Sequence, residues 1–184
     1  QRQMCIRDSG STGIINIENL SLEGIYNFAE TTNSSYPTAI LNFTNDGAIN
    51  VTNQNHKAIY NFNYNGDMSF VSGGNILIDG TAREGIQNLN ISTDTEDYPT
   101  TNLYFENSGD MSLTNTYYEA LKTTNYSGFF NFINNGTMDI DAAGREAIEI
   151  VCYADSLEAT NNGKIYLKNS GYEGLYLSNS SAVE

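Results

Sequence analysis

Six glycines, each followed eleven residues later by a second small residue, divide this chain into units too short to fold alone. The pairs are Gly13 and Gly24, Gly47 and Ala58, Gly74 and Gly85, Gly109 and Ala120, Gly136 and Ala147, and Gly163 and Gly174. Successive anchors lie 34, 27, 35, 27 and 27 residues apart, so the basic unit is 27 residues and two units carry an insertion. A unit of this length cannot bury its own apolar face and must stack on copies of itself. The repeat therefore predicts a solenoid.

The pattern inside each unit specifies strands. Two residues after the anchor an alternating apolar pair recurs: Ile15 and Ile17, Ile49 and Val51, Ile76 and Ile78, Met111 and Leu113, Met138 and Ile140, Ile165 and Leu167. A period of two marks a strand with one face buried. A second strand starts after the small residue, at Ile25, Ile59, Ile86, Leu121, Ile148 and Leu175. A third precedes the next anchor, at Leu41 and Phe43, Met68 and Phe70, Leu103 and Phe105, Phe130 and Phe132, and Leu157 and Ala159. Three strands per unit predict an all-β, three-sided, right-handed parallel β-helix of six coils, the last truncated at Glu184. Equivalent residues then stack in columns about 4.8 Å apart, among them an interior column of Phe43, Phe70, Phe105 and Phe132. A single domain is expected over residues 10–184. Residues 1–9, QRQMCIRDS, resemble translated sequencing-adaptor read-through of the kind found in metagenomic assemblies and are set outside it. The chain is expected to be a piece of a longer protein.

Turn chemistry recurs with the same period. Asn45, Asn107, Asn134 and Asn161 sit two residues before an anchor, where a side-chain amide can bridge turn backbone. Asn19, Asn53, Asn115 and Asn169 recur six residues after an anchor and are expected to hydrogen-bond along their column. The anchors themselves are expected to adopt positive φ, which glycine does without steric cost. In the first three coils the second strand reads Ile-x-Asn-apolar, ending at Phe28, Phe62 and Leu89. That pattern suggests that Asn27, Asn61 and Asn88 make an interior bend in the left-handed region.

Composition agrees with short strands and tight turns. Hydrophobic residues make up 39% of the chain and charged residues 16%, both low for a compact globule, and Pro is scarce. The formal net charge of -14 repels phosphate backbones, so nucleic acid is not an expected partner. No apolar run approaches the roughly 20 residues needed to cross a bilayer, so this segment is not expected to insert into a membrane. The two cysteines, Cys5 and Cys152, are too few to frame a fold, and no cofactor motif is present.

Four features carry possible chemistry. Ten residues after each anchor stand Glu23, Lys57, Glu84, Glu119, Glu146 and Glu173, a column whose charge calls for Arg83, Arg145 or Ca²⁺ unless each Glu splays into solvent; the splayed arrangement is the expectation. The two insertions, about Ala29 to Thr38 and Ser92 to Thr101, fall at the same turn and both contain Tyr-Pro-Thr. Long loops on a regular scaffold are where binding surfaces develop, which nominates Tyr36, Thr38, Asp94, Glu96, Asp97, Tyr98 and Thr100 for contact with a glycan or a protein. Asp139 and Asp141, with Asp79, lie on an outward strand face where a polysaccharide-cleaving enzyme would need paired acids. Partners for such acids are sparse, the one histidine, His56, falls in a corner, and Cys152 reads as buried filler. No catalytic residue, metal ligand or cofactor is assigned.

The segments NDGAINV, NNGTMDI and NNGKIYL, followed by HKAI, REAI and YEGL respectively, resemble the repeats of bacterial autotransporter passengers and related surface adhesins. The resemblance covers nearly all of residues 10–184. It implies a secreted, surface-displayed bacterial rod that is structural or adhesive and meets ligands through its loops. The competing readings are a β-helical polysaccharide lyase or hydrolase and a phage tail-spike fragment.

Overall fold

In the computed structural model the described residues are 4–7, 13–30, 39–92, 101–153 and 156–180, the first of these by backbone only. They form eighteen strands and no helix. In chain order these are β1 (Met4–Arg7), β2 (Ile14–Glu18), β3 (Ile25–Glu30), β4 (Ala39–Asn45), β5 (Ala48–Gln54), β6 (Ile59–Tyr64), β7 (Gly66–Ser72), β8 (Asn75–Thr81) and β9 (Ile86–Ile91). There follow β10 (Leu103–Asn107), β11 (Asp110–Thr116), β12 (Leu121–Asn125), β13 (Phe129–Asn134), β14 (Thr137–Ala143), β15 (Ile148–Cys152), β16 (Ser156–Asn161), β17 (Lys164–Lys168) and β18 (Leu175–Asn179). Every third strand joins the same sheet. The sheets run β1-β4-β7-β10-β13-β16 (sheet A), β2-β5-β8-β11-β14-β17 (sheet B) and β3-β6-β9-β12-β15-β18 (sheet C). All neighbours pair in parallel, and each strand pairs with its equivalent one coil away, as in Met111 opposite Met138 and Phe70 opposite Phe105. This is a three-sided parallel β-helix of about six coils.

The core is a set of stacked columns. Phe43, Phe70, Phe105 and Phe132 lie face to face with ring centroids 4.6, 4.9 and 4.8 Å apart and planes within 7° of parallel. The strand spacing itself imposes that ring spacing. Ile49, Ile76, Met111 and Met138 form one aliphatic column, and Val51, Ile78, Leu113 and Ile140 another, all essentially inaccessible to solvent. Ala58, Ala120 and Ala147 are fully buried where the chain enters sheet C, which explains the second small residue of the repeat.

The anchors are glycine for a reason other than backbone conformation. Gly74, Gly109, Gly136 and Gly163 do not have positive φ; a Cβ on each would lie 1.9 to 2.1 Å from the carbonyl oxygen of the anchor one coil earlier. Coils touch backbone to backbone at this corner, and any side chain would hold them apart. The left-handed column lies six residues on: Asn19, Asn53, Gly80, Asn115, Ala142 and Asn169 all have φ between 52° and 74°. The recurring Asn there serves conformation first. It makes no Asn-to-Asn ladder; the Asn115 and Asn169 amides donate to Asp79 and Asp141 of the preceding coil at 2.7 and 2.8 Å.

Amide ladders do run inside the rod. Asn107 donates to Asn134 at 2.9 Å and Asn134 to Asn161 at 2.7 Å, while Asn107 also bonds the Gly109 carbonyl at 3.1 Å. Asn27, Asn61 and Asn88 are not a bend: they point inward from β3, β6 and β9, donating Asn27 to Asn61 at 2.7 Å and Asn61 to Asn88 at 2.8 Å. Because β3 and β6 keep strict alternation, Phe28 and Phe62 face outward, contrary to the sequence expectation.

Candidate functional site

The nominated loop residues Tyr36, Thr38, Asp94, Glu96, Asp97, Tyr98 and Thr100 lie outside the described residues. The strands that flank the two insertions are described. One insertion connects β3 to β4 and the other β9 to β10, so both leave sheet C and enter sheet A at the same corner, two coils apart. Past the second insertion, Thr101 is fully buried and its amide and hydroxyl both meet the Ser127 hydroxyl, at 3.1 and 2.8 Å.

The outer face of sheet C adjoins that corner and is aromatic. Tyr26 and Tyr60 stack with centroids 5.3 Å apart, and Phe28 and Phe62 at 5.4 Å. Two parallel rings this close overlap, since rings lying flat side by side need more room. They therefore stand on the sheet with their faces turned largely toward one another. Lys57 places its ammonium 3.6 Å from the Tyr60 ring centroid, covering that ring further, and burial pushes the Lys57 amine down and the Tyr60 phenol up to about 12. Further along, Tyr126 and Tyr153 stack at 4.9 Å and remain 44% and 43% exposed. The outward positions of sheets A and B carry mainly Asn, Ser, Thr, Asp, Glu and Lys instead. This face was hidden from sequence reasoning because Phe28 and Phe62 were assigned to the core; counting in twos from the buried Ile25 and Ile59 would have placed them outside.

The glutamate column stands at the corner between sheets B and C. It neither splays outward in the middle coils nor is left bare: Glu84 and Glu119 are buried, and cations from adjoining coils meet them. Arg145 lies 3.3 Å from Glu119, and the Lys122 ammonium lies 3.5 Å from Glu119 and 2.9 Å from Glu149. Arg83 Nε is 3.7 Å from Glu84, and His56 Nδ1 is 2.9 Å from Glu23. The preceding column reads His56, Arg83, Tyr118, Arg145, Tyr172, with Arg83 bonded to His56 at 3.3 Å and both arginines packed on Tyr118. Four of the chain's eight Lys and Arg residues, and its only His, thus gather at one corner of an acidic molecule. Glu119, Glu146 and Glu149 bring carboxylate oxygens within 4.8 Å of one another, a spacing that suits a divalent cation. The Lys122 ammonium and the Arg145 guanidinium already supply positive charge there.

Ionisation within this cluster is unequal. Burial alone would raise the Glu119 carboxyl, but its own backbone amide, Glu149, Lys122 and Arg145 outweigh it and hold Glu119 below the usual carboxylate value. Burial raises Glu149; Lys122 opposes that, the hydrogen bond with Glu119 reinforces it, and the net direction is upward. The pair is thus arranged to keep the less accessible carboxylate charged.

The outward acids of sheet B are each engaged. Asp139 meets Lys168 at 3.1 Å, Asp141 accepts from Asn169, and Asp79 accepts from Thr114 and Asn115 at 2.9 and 2.7 Å. Cys152 is buried, with its thiol 3.6 Å from the Ser156 carbonyl. Comparisons with protein-family models, with curated proteins and with solved structures found no match.

Proposed function

We propose that this chain is a structural and adhesive segment of a secreted or surface-displayed bacterial β-solenoid, which holds a binding side at a fixed distance along a rigid rod. The observation that carries this reading is the division of labour around the coil. Most recurring residues serve the stack: the anchor glycines, the left-handed column, the Phe column, the amide ladders and the neutralised Glu corner. The features that break the repeat, namely the outer aromatics of sheet C and the two insertions, gather on one side and one corner of the rod. Tyrosine is suited to such contacts, offering a large, stiff, amphipathic surface at low entropic cost. Standing, mutually stacked rings favour a protein partner over a sugar, because a sugar binds an exposed ring face.

The reading is tested by screening immobilised glycans and candidate surface proteins with the chain and with Tyr126→Ala/Tyr153→Ala. Saturable protein binding weakened in the variant, without release of reducing or unsaturated sugar ends, supports it. Turnover of a polysaccharide, or binding indifferent to the variant and to deletion of residues 31–38 and 93–100, overturns it.

A further inference from the structure

Both ends of the described stack present unpaired parallel strand edges. Among the described residues nothing pairs with the outer edges of β1, β2 and β3 at one end or of β16, β17 and β18 at the other. The second end also opens the core: Phe132, Ile150, Ala159, Ile165, Leu175 and Leu177 line a cavity of about 150 Å³, and Leu175 and Leu177 are 46% and 47% exposed. Open edges of this kind are templates for strand addition, and solenoids need a cap or a further coil to cover them.

We infer that the β16-β17-β18 end accepts the β1-β2-β3 end of a second copy of this chain, head to tail, so that the coil stack continues across the junction. The strand order matches: after β16, β17 and β18 the next strands in sheets A, B and C would be β1, β2 and β3 of the neighbour. The register observed within the molecule, where Thr137 lies opposite Lys164 and Ile148 opposite Leu175, fixes the contacts between copies. Ile165 and Leu167 meet Ile15 and Ile17, Leu175 meets Ile25, and Tyr176 stacks on Tyr26 as Tyr26 does on Tyr60. Charge agrees at the rim: Lys168 comes opposite Glu18, an opposite-sign pair between directly paired positions. The one interior mismatch is Leu177 against Asn27, whose side-chain oxygen has no donor within the molecule. Such a heterologous contact does not close on itself and generates filaments of constant width, lengthening by about 30 Å per copy.

The 184-residue chain, followed by sedimentation equilibrium from micromolar to millimolar concentration and imaged by negative-stain microscopy, tests this. Mass should grow with concentration through successive integral numbers of copies, and filaments should keep the width of one rod. Glu18→Lys and Lys168→Glu should each weaken association about tenfold, and the double reversal Glu18→Lys/Lys168→Glu should restore it. Because both positions are at the surface, a loss shared by the double variant is not the expected pattern. A monomer throughout, association insensitive to both reversals, a double variant as weak as the singles, or thickened filaments would each overturn the inference.

Discussion

At the scale of single residues, two glycine-like demands occupy different columns and have different physics. At the anchor, the demand is space: a Cβ at position 136 would sit 2.0 Å from the Gly109 carbonyl oxygen, well inside contact distance. Gly136→Val should therefore cost about 3 kcal/mol or more, read as a lower urea midpoint, because coils on both sides must part. Six residues further on, the demand is a positive φ, and Ala142 meets it at 59° with a side chain that gains nothing from that conformation. Ala142→Asn, matching Asn115 and Asn169 in the same column, should stabilise by about 1 kcal/mol in the same assay. Sequence periodicity located both columns but exchanged their reasons, since spacing reveals that a small residue is needed and not whether contact or conformation requires it.

At the scale of the element, all three strands of each coil were legible because alternation, a fixed repeat length and turn residues agreed. The Phe column was legible for the same reason: equivalent positions one coil apart must stack. The orientation of β3 and β6 was not, because an inward Asn looks wrong until its neighbours supply partners; Asn27, Asn61 and Asn88 satisfy one another only as a ladder. The Glu corner was half legible. Its cations were named from sequence, but the burial of Glu84 and Glu119 depends on Lys122 and Arg145 arriving from other coils. That burial has a pH consequence. Glu149 has a folded-state value above the ordinary carboxylate one. Its contribution to stability is therefore complete below the ordinary carboxylate value and is lost as pH rises through the folded value. Glu149→Gln keeps a neutral hydrogen-bonding group at all pH. Its stability relative to the parent should improve from pH 4 to pH 7, measured by urea unfolding across that range. Glu119 has the opposite sign, its stabilisation being lost as pH falls below the ordinary value, so Glu119→Gln should fall relative to the parent over the same rise in pH.

At the scale of the whole molecule, the account rests on every coil returning to the same place despite unequal lengths. The insertions lengthen the sequence interval between coils to 34 and 35 residues without altering strand register, so Leu77 pairs with Ser112 across an insertion just as Ser112 pairs with Asp139 across a regular coil. That invariance lets variable loops be carried on a constant rod, which is why the part of the site outside the described residues was legible as location but not as geometry. Disulfide trapping in a background with Cys5→Ser and Cys152→Ala measures it directly, because bridging requires Cα atoms within about 7 Å. Leu77→Cys/Ser112→Cys and Ser112→Cys/Asp139→Cys should both oxidise readily to an intramolecular bridge, whereas Leu77→Cys/Tyr104→Cys, spaced by a plain 27 residues, should not. Bridging of the Leu77 and Tyr104 pair with failure of the other two would contradict the coil register and the β-helix built on it.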